Sequence, residues 1–331
     1  MIHACALRRT FSARSGPVEA VSGIDLDVGP GEIVGFLGPN GAGKTTTLRM
    51  LSTLLRPTSG RATVAGHDLL RDRWGVRRAI GYVAQGGTTH PDARAGEEIV
   101  DQARLHGLPK ARAVPAAAGT LERLGLEGIG DRPCRSLSGG QRRRLDIALG
   151  IVHGPRLVFL DEPTTGLDPR ARAKLWDHIR DLRGQGTTFV LTTHYLEEAD
   201  ALSDRVVVVD HGRIVASGTP RDLKRQVAGD AVTLVLSERT RAGEALRIAG
   251  SLDGASRPTA DGGRIRFHVP ASSTILPGLL RDLDSGGVDL DGVEVHRPTL
   301  DDVFRAFTGR SLHAGPQPDR ATSGTSGTSG T

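Results

Sequence analysis

The run Gly38-Pro39-Asn40-Gly41-Ala42-Gly43-Lys44-Thr45-Thr46 carries the chain's plainest chemistry. It fits G-x-x-x-x-G-K-[ST], a spacing in which glycines let successive backbone N–H groups turn toward one anion while a following helix adds its positive end. Lys44 is then placed for the terminal phosphates of a nucleoside triphosphate, and the Thr45 hydroxyl for Mg2+. An apolar run, Ile33-Val34-Gly35-Phe36-Leu37, leads into the loop, and residues 46–54 leave it with helical patterning. Strand, loop, helix is the expected context.

Two carboxylates, Asp161 and Glu162, end the apolar run Leu157-Val158-Phe159-Leu160. Continuous apolar runs mark buried parallel strands, whose carboxyl ends gather ligands. There Asp161 would hold the metal shell, and Glu162 would polarise a water against the terminal phosphate. Residues 187–191 predict the next buried strand and deliver His194 to the same edge, where an imidazole N–H can donate to a phosphate oxygen. Leu137-Ser138-Gly139-Gly140-Gln141 opens a predicted helix over 142–153, with Ser138 and the glycine pair at its start, either an ordinary cap or an anion contact. Asp168 is expected to cap a further helix that begins at Pro169 and runs to about 183. Phe11 ends the first predicted strand, and its ring either fills core or stacks on a purine.

The elements needed to position these groups are legible. Residues 4–10 and 24–28 alternate as half-buried strands, 61–68 form a hairpin edge, and 80–83 form a strand that ends at Gln85. Residues 97–124 turn helical and rich in Arg and Ala, broken at Gly107-Leu108-Pro109, which suggests a small helical subdomain over about 95–153. Past Gly218-Thr219-Pro220 the composition changes, and strands at 232–236, 264–269 and 288–295 alternate with helices at 242–252 and 273–283. We therefore expect a nucleotide-binding domain over 1–219, a small α+β module over 220–310 and a disordered Gly/Ser/Thr-rich tail over 311–331.

At 331 residues the chain suits two domains. Cys5 and Cys134 form no disulfide or metal pattern, which fits a reducing compartment. No apolar run approaches the ~20 residues needed to cross a bilayer, so a soluble chain is expected. The formal charge of +5 comes from arginines interspersed with nearly as many acids, and only 3% of residues are aromatic, so no nucleic-acid partner is expected.

In this order, the phosphate loop, Gln85, the 137–141 sequence, Asp161-Glu162, Thr165-Gly166-Leu167-Asp168 and His194 resemble the ATP-binding subunits of ABC transporters across residues 4–219. The fold this implies is an α/β phosphate-loop ATPase core with a helical subdomain, followed by the small α+β domain. The resemblance makes Gln85 the Q-loop glutamine, a metal contact and the coupling point to a partner. It makes Ser138, Gly139, Gly140 and Gln141 the signature that acts on a second copy's ATP, Asp161-Glu162 the Walker B pair, Asp168 part of the D-loop, His194 the switch histidine and Phe11 an adenine-stacking ring. It implies ATP and Mg2+ as ligands and a homodimer bound to a separate integral membrane permease at the cytoplasmic face of the membrane.

The closing segment 298–310, with Leu300-Asp301-Asp302, is similar to that of drug exporters of the daunorubicin-resistance type, as is Arg142-Arg143-Arg144 after the signature. The basic run also reads simply as an exposed helix face. Drug or antibiotic efflux powered by ATP hydrolysis is the expectation. A lipid or polysaccharide exporter subunit would share the same ATPase core. A soluble ATPase acting on ribosomes or DNA usually carries paired domains or long coiled coils, whereas here there is one phosphate loop and no sustained heptad pattern.

Overall fold

In the computed structural model, which describes residues 1–14, 16–87, 89–227 and 229–312, the chain opens with a long antiparallel hairpin of β1 (Ile2–Ala13) and β2 (Gly16–Val28). β3 (Ile33–Leu37) then feeds the phosphate loop and α1 (Lys44–Leu51) leaves it. This helix ends earlier than its patterning predicts. Thr53 turns to a left-handed φ of 64°, and its carbonyl accepts from Arg73 and Arg77. β4 (Ser59–Val64) and β5 (His67–Asp68) complete a four-stranded sheet in the order β2-β1-β4-β5. Between it and β6 (Ile80–Val83) lies a short helix the sequence reading missed, α2 (Arg73–Ala79), capped by Asp72.

The helical region holds α3 (Ala95–Leu105), α4 (Lys110–Arg123) and α5 (Gly139–Ile151). α5 begins three residues sooner than expected, because the Ser138 and Gln141 side chains cap each other's backbone N–H and draw both glycines into the first turn. After it come β7 (Leu157–Asp161), α6 (Pro169–Gly184), β8 (Thr188–Thr193), α7 (Leu196–Leu202), β9 (Arg205–Asp210) and β10 (Arg213–Gly218). The central sheet runs β10-β9-β3-β8-β7-β6, parallel except for β10.

Period-two alternation gives the inner strands β3, β8 and β7 of this sheet two buried faces. On β7, Val158 and Leu160 pack with the helices, whereas Leu157 and Phe159 pack with the N-terminal sheet and α1. Both faces are covered, and the carboxyl edge is left for polar groups.

The remaining elements are α8 (Pro220–Gln226), β11 (Asp230–Leu236), α9 (Ala242–Gly250), β12 (Thr259–Asp261), β13 (Arg264–Val269), α10 (Ser272–Ser285), β14 (Leu290–His296) and α11 (Leu300–Thr308). An antiparallel sheet, β12-β13-β11-β14, buries Val232, Leu234, Ile265 and Phe267 against Ala245 and Ile248 of α9 and Leu279 of α10. The flanking helices do otherwise. Leu223 of α8 and Leu300, Val303 and Phe304 of α11 pack with Leu37, Val206 and Val208 of the central sheet. From residue 313 on, the tail expected to be disordered lies outside the described residues.

Candidate nucleotide site

β3, β8 and β7 are neighbours, with Leu37 opposite Thr193 and Asp161 opposite Thr192, so their carboxyl ends deliver the expected groups to one edge. The loop after β3 presses closely on its surroundings. A Cβ at Gly38 would lie 2.2 Å from the Val209 carbonyl oxygen, and one at Gly43, which sits at φ 102°, would lie 2.5 Å from that of Ala20. Only glycine fits at either place. Lys44 is buried in the hollow, where its Nζ donates to the carbonyls of Gly38 (2.6 Å) and Pro39 (3.0 Å). Burial lowers its pKa, while the Glu162 and Asp161 charges oppose the shift. Asn40 and Gly41 are exposed at the loop's tip, Pro39 and Thr46 are half-buried, and Ala42 is buried.

Asp161 is fully buried, and its Oδ1 accepts from the hydroxyls of Thr45 and Thr192, each at 2.7 Å. The Tyr82 hydroxyl reaches Oδ2 at 3.3 Å. Adjacent hydroxyl and carboxylate oxygens form the hard donor set that Mg2+ takes. Glu162 stands one residue past β7 at a left-handed φ of 47°, a conformation rare for a side chain of its size. Its Oε2 accepts from Gln85 Nε2 (2.8 Å) and Thr165 Oγ1 (3.1 Å), and its backbone N–H donates to Thr192 Oγ1 (3.0 Å). His194 Nδ1 lies 3.4 Å from Glu162 Oε1 but lacks the alignment of a hydrogen bond, and its ring leans on Tyr195. Gln85, Thr45, Asp161, Glu162 and His194 are thus gathered at one edge.

Ser138, Gly139, Gly140 and Gln141 are not part of that cluster. With Gly166, Leu167 and Asp168 they line a separate open cleft of about 850 Å3, to which no residue of the 38–46 loop contributes. Ser138 Oγ accepts from Gln141 N at 3.2 Å, and Gln141 Oε1 accepts from Ser138 N at 3.0 Å. Asp168 caps α6 through Ala171 N (2.8 Å), the role expected for it. Phe11 is 37% exposed near the end of β1, so it does not fill core; the Arg9 guanidinium lies 4.5 Å from its ring centroid.

The sequence matches the ABC transporter family model over residues 21–165 and the model of the ATP-binding protein DrrA1-3-like C-terminal domain over residues 218–308. It is 45% identical over 298 residues to the daunorubicin resistance ATP-binding protein DrrA3 of Streptomyces coeruleorubidus, covering 89% of this chain and 93% of that one. It is also 42% identical to the daunorubicin/doxorubicin resistance ATP-binding protein DrrA of Streptomyces peucetius, covering 92% and 90%. The chain belongs to the DrrA family of ABC ATP-binding proteins. Its chemistry is ATP hydrolysis, and its core has the ABC ATPase fold. The dimeric post-hydrolysis structure of the ATP-binding cassette MJ0796 bound to ADP and Pi superposes with a TM-score of 0.61 at 24% identity, covering 66% of this chain and 98% of that one.

Within this member of the DrrA family, Arg143 and Glu198 are among the buried charged residues that went unassigned in the sequence. Arg143 does not belong to an exposed basic face: it is 6% exposed, and its guanidinium enters the strand ends behind Glu162. Helical spacing alone did not mark it out, since Arg144 likewise stands four residues before a buried residue, Ala148. Glu198, on α7, is fully buried, and its Oε1 accepts from Trp176 Nε1 at 3.1 Å. Burial raises its pKa against the opposing influence of the Thr193, Trp176 and Thr164 side chains, while Oε2 lacks a well-aligned hydrogen bond. Its place four residues before the buried Leu202 was the available clue.

Proposed function

We propose that this chain is the ATP-hydrolysing subunit of an exporter, driving a drug or antibiotic through a separate integral membrane permease from the cytoplasmic face of the membrane. The observation that carries the reading is the division of the machinery: the groups that grip and hydrolyse sit at one sheet edge, and the signature faces outward from its own cleft. Two copies placed head to tail each complete the other's site. In that arrangement the 38–46 loop of one copy and Ser138, Gly139, Gly140 and Gln141 of the second enclose one ATP, beside Asp168.

Phe11 offers a ring face to the adenine, and the loop N–H groups with Lys44 hold the phosphates. Thr45, Asp161 and Gln85 would hold Mg2+, which neutralises phosphate charge when bound. Glu162 takes the proton of a water as that water's oxygen bonds to the γ-phosphorus and the bond to ADP breaks. His194 keeps Glu162 and the water in line. The names of the relatives, daunorubicin and doxorubicin resistance proteins, support a drug as cargo.

Glu162→Gln tests the site. ATP binding is expected to persist, turnover to fall by roughly 10²- to 10⁴-fold, and an ATP-bound dimer to accumulate on size exclusion. Undiminished turnover would remove Glu162 from the role of base. Purification of the tagged chain from solubilised membranes tests the partner. An integral membrane protein should accompany it, with daunorubicin stimulating ATP hydrolysis; ribosomes or DNA in its place would overturn the exporter reading.

A further inference from the structure

The guanidinium of Arg143 is spent on backbone. Its Nε donates to the Pro163 carbonyl (2.7 Å), Nη1 to that of Ala84 (2.7 Å), and Nη2 to those of Asp161 (3.0 Å) and Glu162 (3.2 Å). Nη1 also lies 3.7 Å from Oδ2 of Asp146, one turn further along α5. A planar fork of N–H donors can bind several carbonyls at fixed angles, which an ammonium on a flexible stem cannot.

The carbonyls it holds sit at the ends of β6 and β7, which pair in parallel. Ala84 directly precedes Gln85, and Asp161, Glu162 and Pro163 form the corner that aims the Glu162 carboxylate. From behind, Arg143 therefore spans the two backbone segments whose side chains meet in the Gln85–Glu162 hydrogen bond of 2.8 Å. Its other attachment is α5, which begins at the Ser138 cap. At about 1.5 Å of rise per residue, Arg143 stands roughly 7 Å from Ser138 along one rigid helix. A shift of the helix start must move the guanidinium, and through it the corner of Glu162.

We propose that Arg143 is a positioning residue for hydrolysis, transmitting engagement of this chain's 138–141 signature by a second copy's ATP to its own Gln85 and Glu162. This rests on the shared-site reading above. Each copy's signature then does two jobs: it closes the partner's site and readies its own. Cooperativity between the two ATPs follows from that mechanical link.

Full-length Arg143→Gln and Arg143→Lys chains test it by steady-state ATP hydrolysis, ATP binding to the monomer and thermal unfolding. With Arg143→Gln, kcat should fall on the order of 10²-fold while KM and monomer affinity stay within about threefold, and the Hill coefficient should drop toward about one. Arg143→Lys keeps the buried charge beside Asp146 but not the fork, so it should recover stability without recovering cooperativity. Unchanged kcat and Hill coefficient in both variants would overturn the proposal. So would a loss of ATP binding, stability and turnover in step, which marks a merely structural residue. A Glu162→Gln chain that forms no ATP-bound dimer would instead bring down the shared-site reading, and the coupling with it. If that dimer forms but cooperativity survives in the Arg143 variants, only the coupling fails.

Discussion

One hydroxyl sets the spacing of the two carboxylates at the candidate site. Thr192 Oγ1 donates to Asp161 and accepts from the Glu162 N–H, so it ties the Asp161 carboxylate to the turn that aims the Glu162 side chain. Thr192→Val keeps the shape and removes both bonds, leaving a buried N–H without its acceptor. Unfolding free energy should fall by about 1–3 kcal/mol in a denaturant titration, and kcat should fall more than ATP affinity. Glu198 offers a pH test. Burial raises its folded-state pKa above the unfolded value, so as pH climbs through the ordinary glutamate range the unfolded chain ionises first and the folded state loses stability. Glu198→Gln can keep the hydrogen bond from Trp176 and carries no such penalty. Its melting temperature relative to the parent should rise with pH from the ordinary glutamate range through the raised folded-state pKa, and a pH-independent difference would refute the assignment.

At the scale of elements, helix starts do much of the positioning. α5 begins at a reciprocal Ser138–Gln141 cap, and α11 repeats the device with Thr299 and Asp302. In α11, Thr299 Oγ1 accepts from Asp302 N at 3.3 Å, and the Asp302 carboxylate accepts from Thr299 N at 2.9 Å. Thr299→Ala should cost about 1 kcal/mol in urea unfolding. Its effect should appear as loosening of the packing between α11 and the central sheet rather than of the β11–β14 sheet, because α11 buries its apolar side in a different cluster. The strands were easier to foresee than the short helices. β6 matches its expected residues 80–83, whereas α2 spans only Arg73–Ala79, too few residues to show a periodic apolar face, even though its cap, Asp72, is local.

Across the whole molecule, the C-terminal segment is fastened to the ATPase core at the edge nearest the phosphate loop. Phe304 is fully buried in the cluster containing Leu37, the residue before Gly38. Arg310 donates to Asp210 at 2.7 Å and contacts His211 at 2.9 Å, and the next residue, Gly212, donates from its N–H to the Ala42 carbonyl of the loop at 2.9 Å. Phe304→Ala should therefore destabilise the core itself, by about 3–5 kcal/mol, and hydrogen exchange should rise in β3 and β9 as well as α11. Exchange confined to residues 230–296 would contradict this packing.

The sequence by itself determined the phosphate loop, the buried strands that carry it and the acids, and the order of site groups along the chain. Glycine spacing and apolar runs are local properties, written in consecutive residues. It also placed Asp168 as a cap for the same reason. Tertiary structure decided what local pattern cannot express. Inserting β8 between β3 and β7 made Thr192 the neighbour of Asp161 and brought His194 beside Glu162. Only packing showed which of three consecutive arginines turns inward, Arg143 donating to backbone carbonyls 18 to 59 residues away, and that the buried Glu198 accepts a hydrogen bond from Trp176. The physical reason is one and the same: a buried charge persists where distant segments supply its partners, and those partners assemble only when the chain has folded.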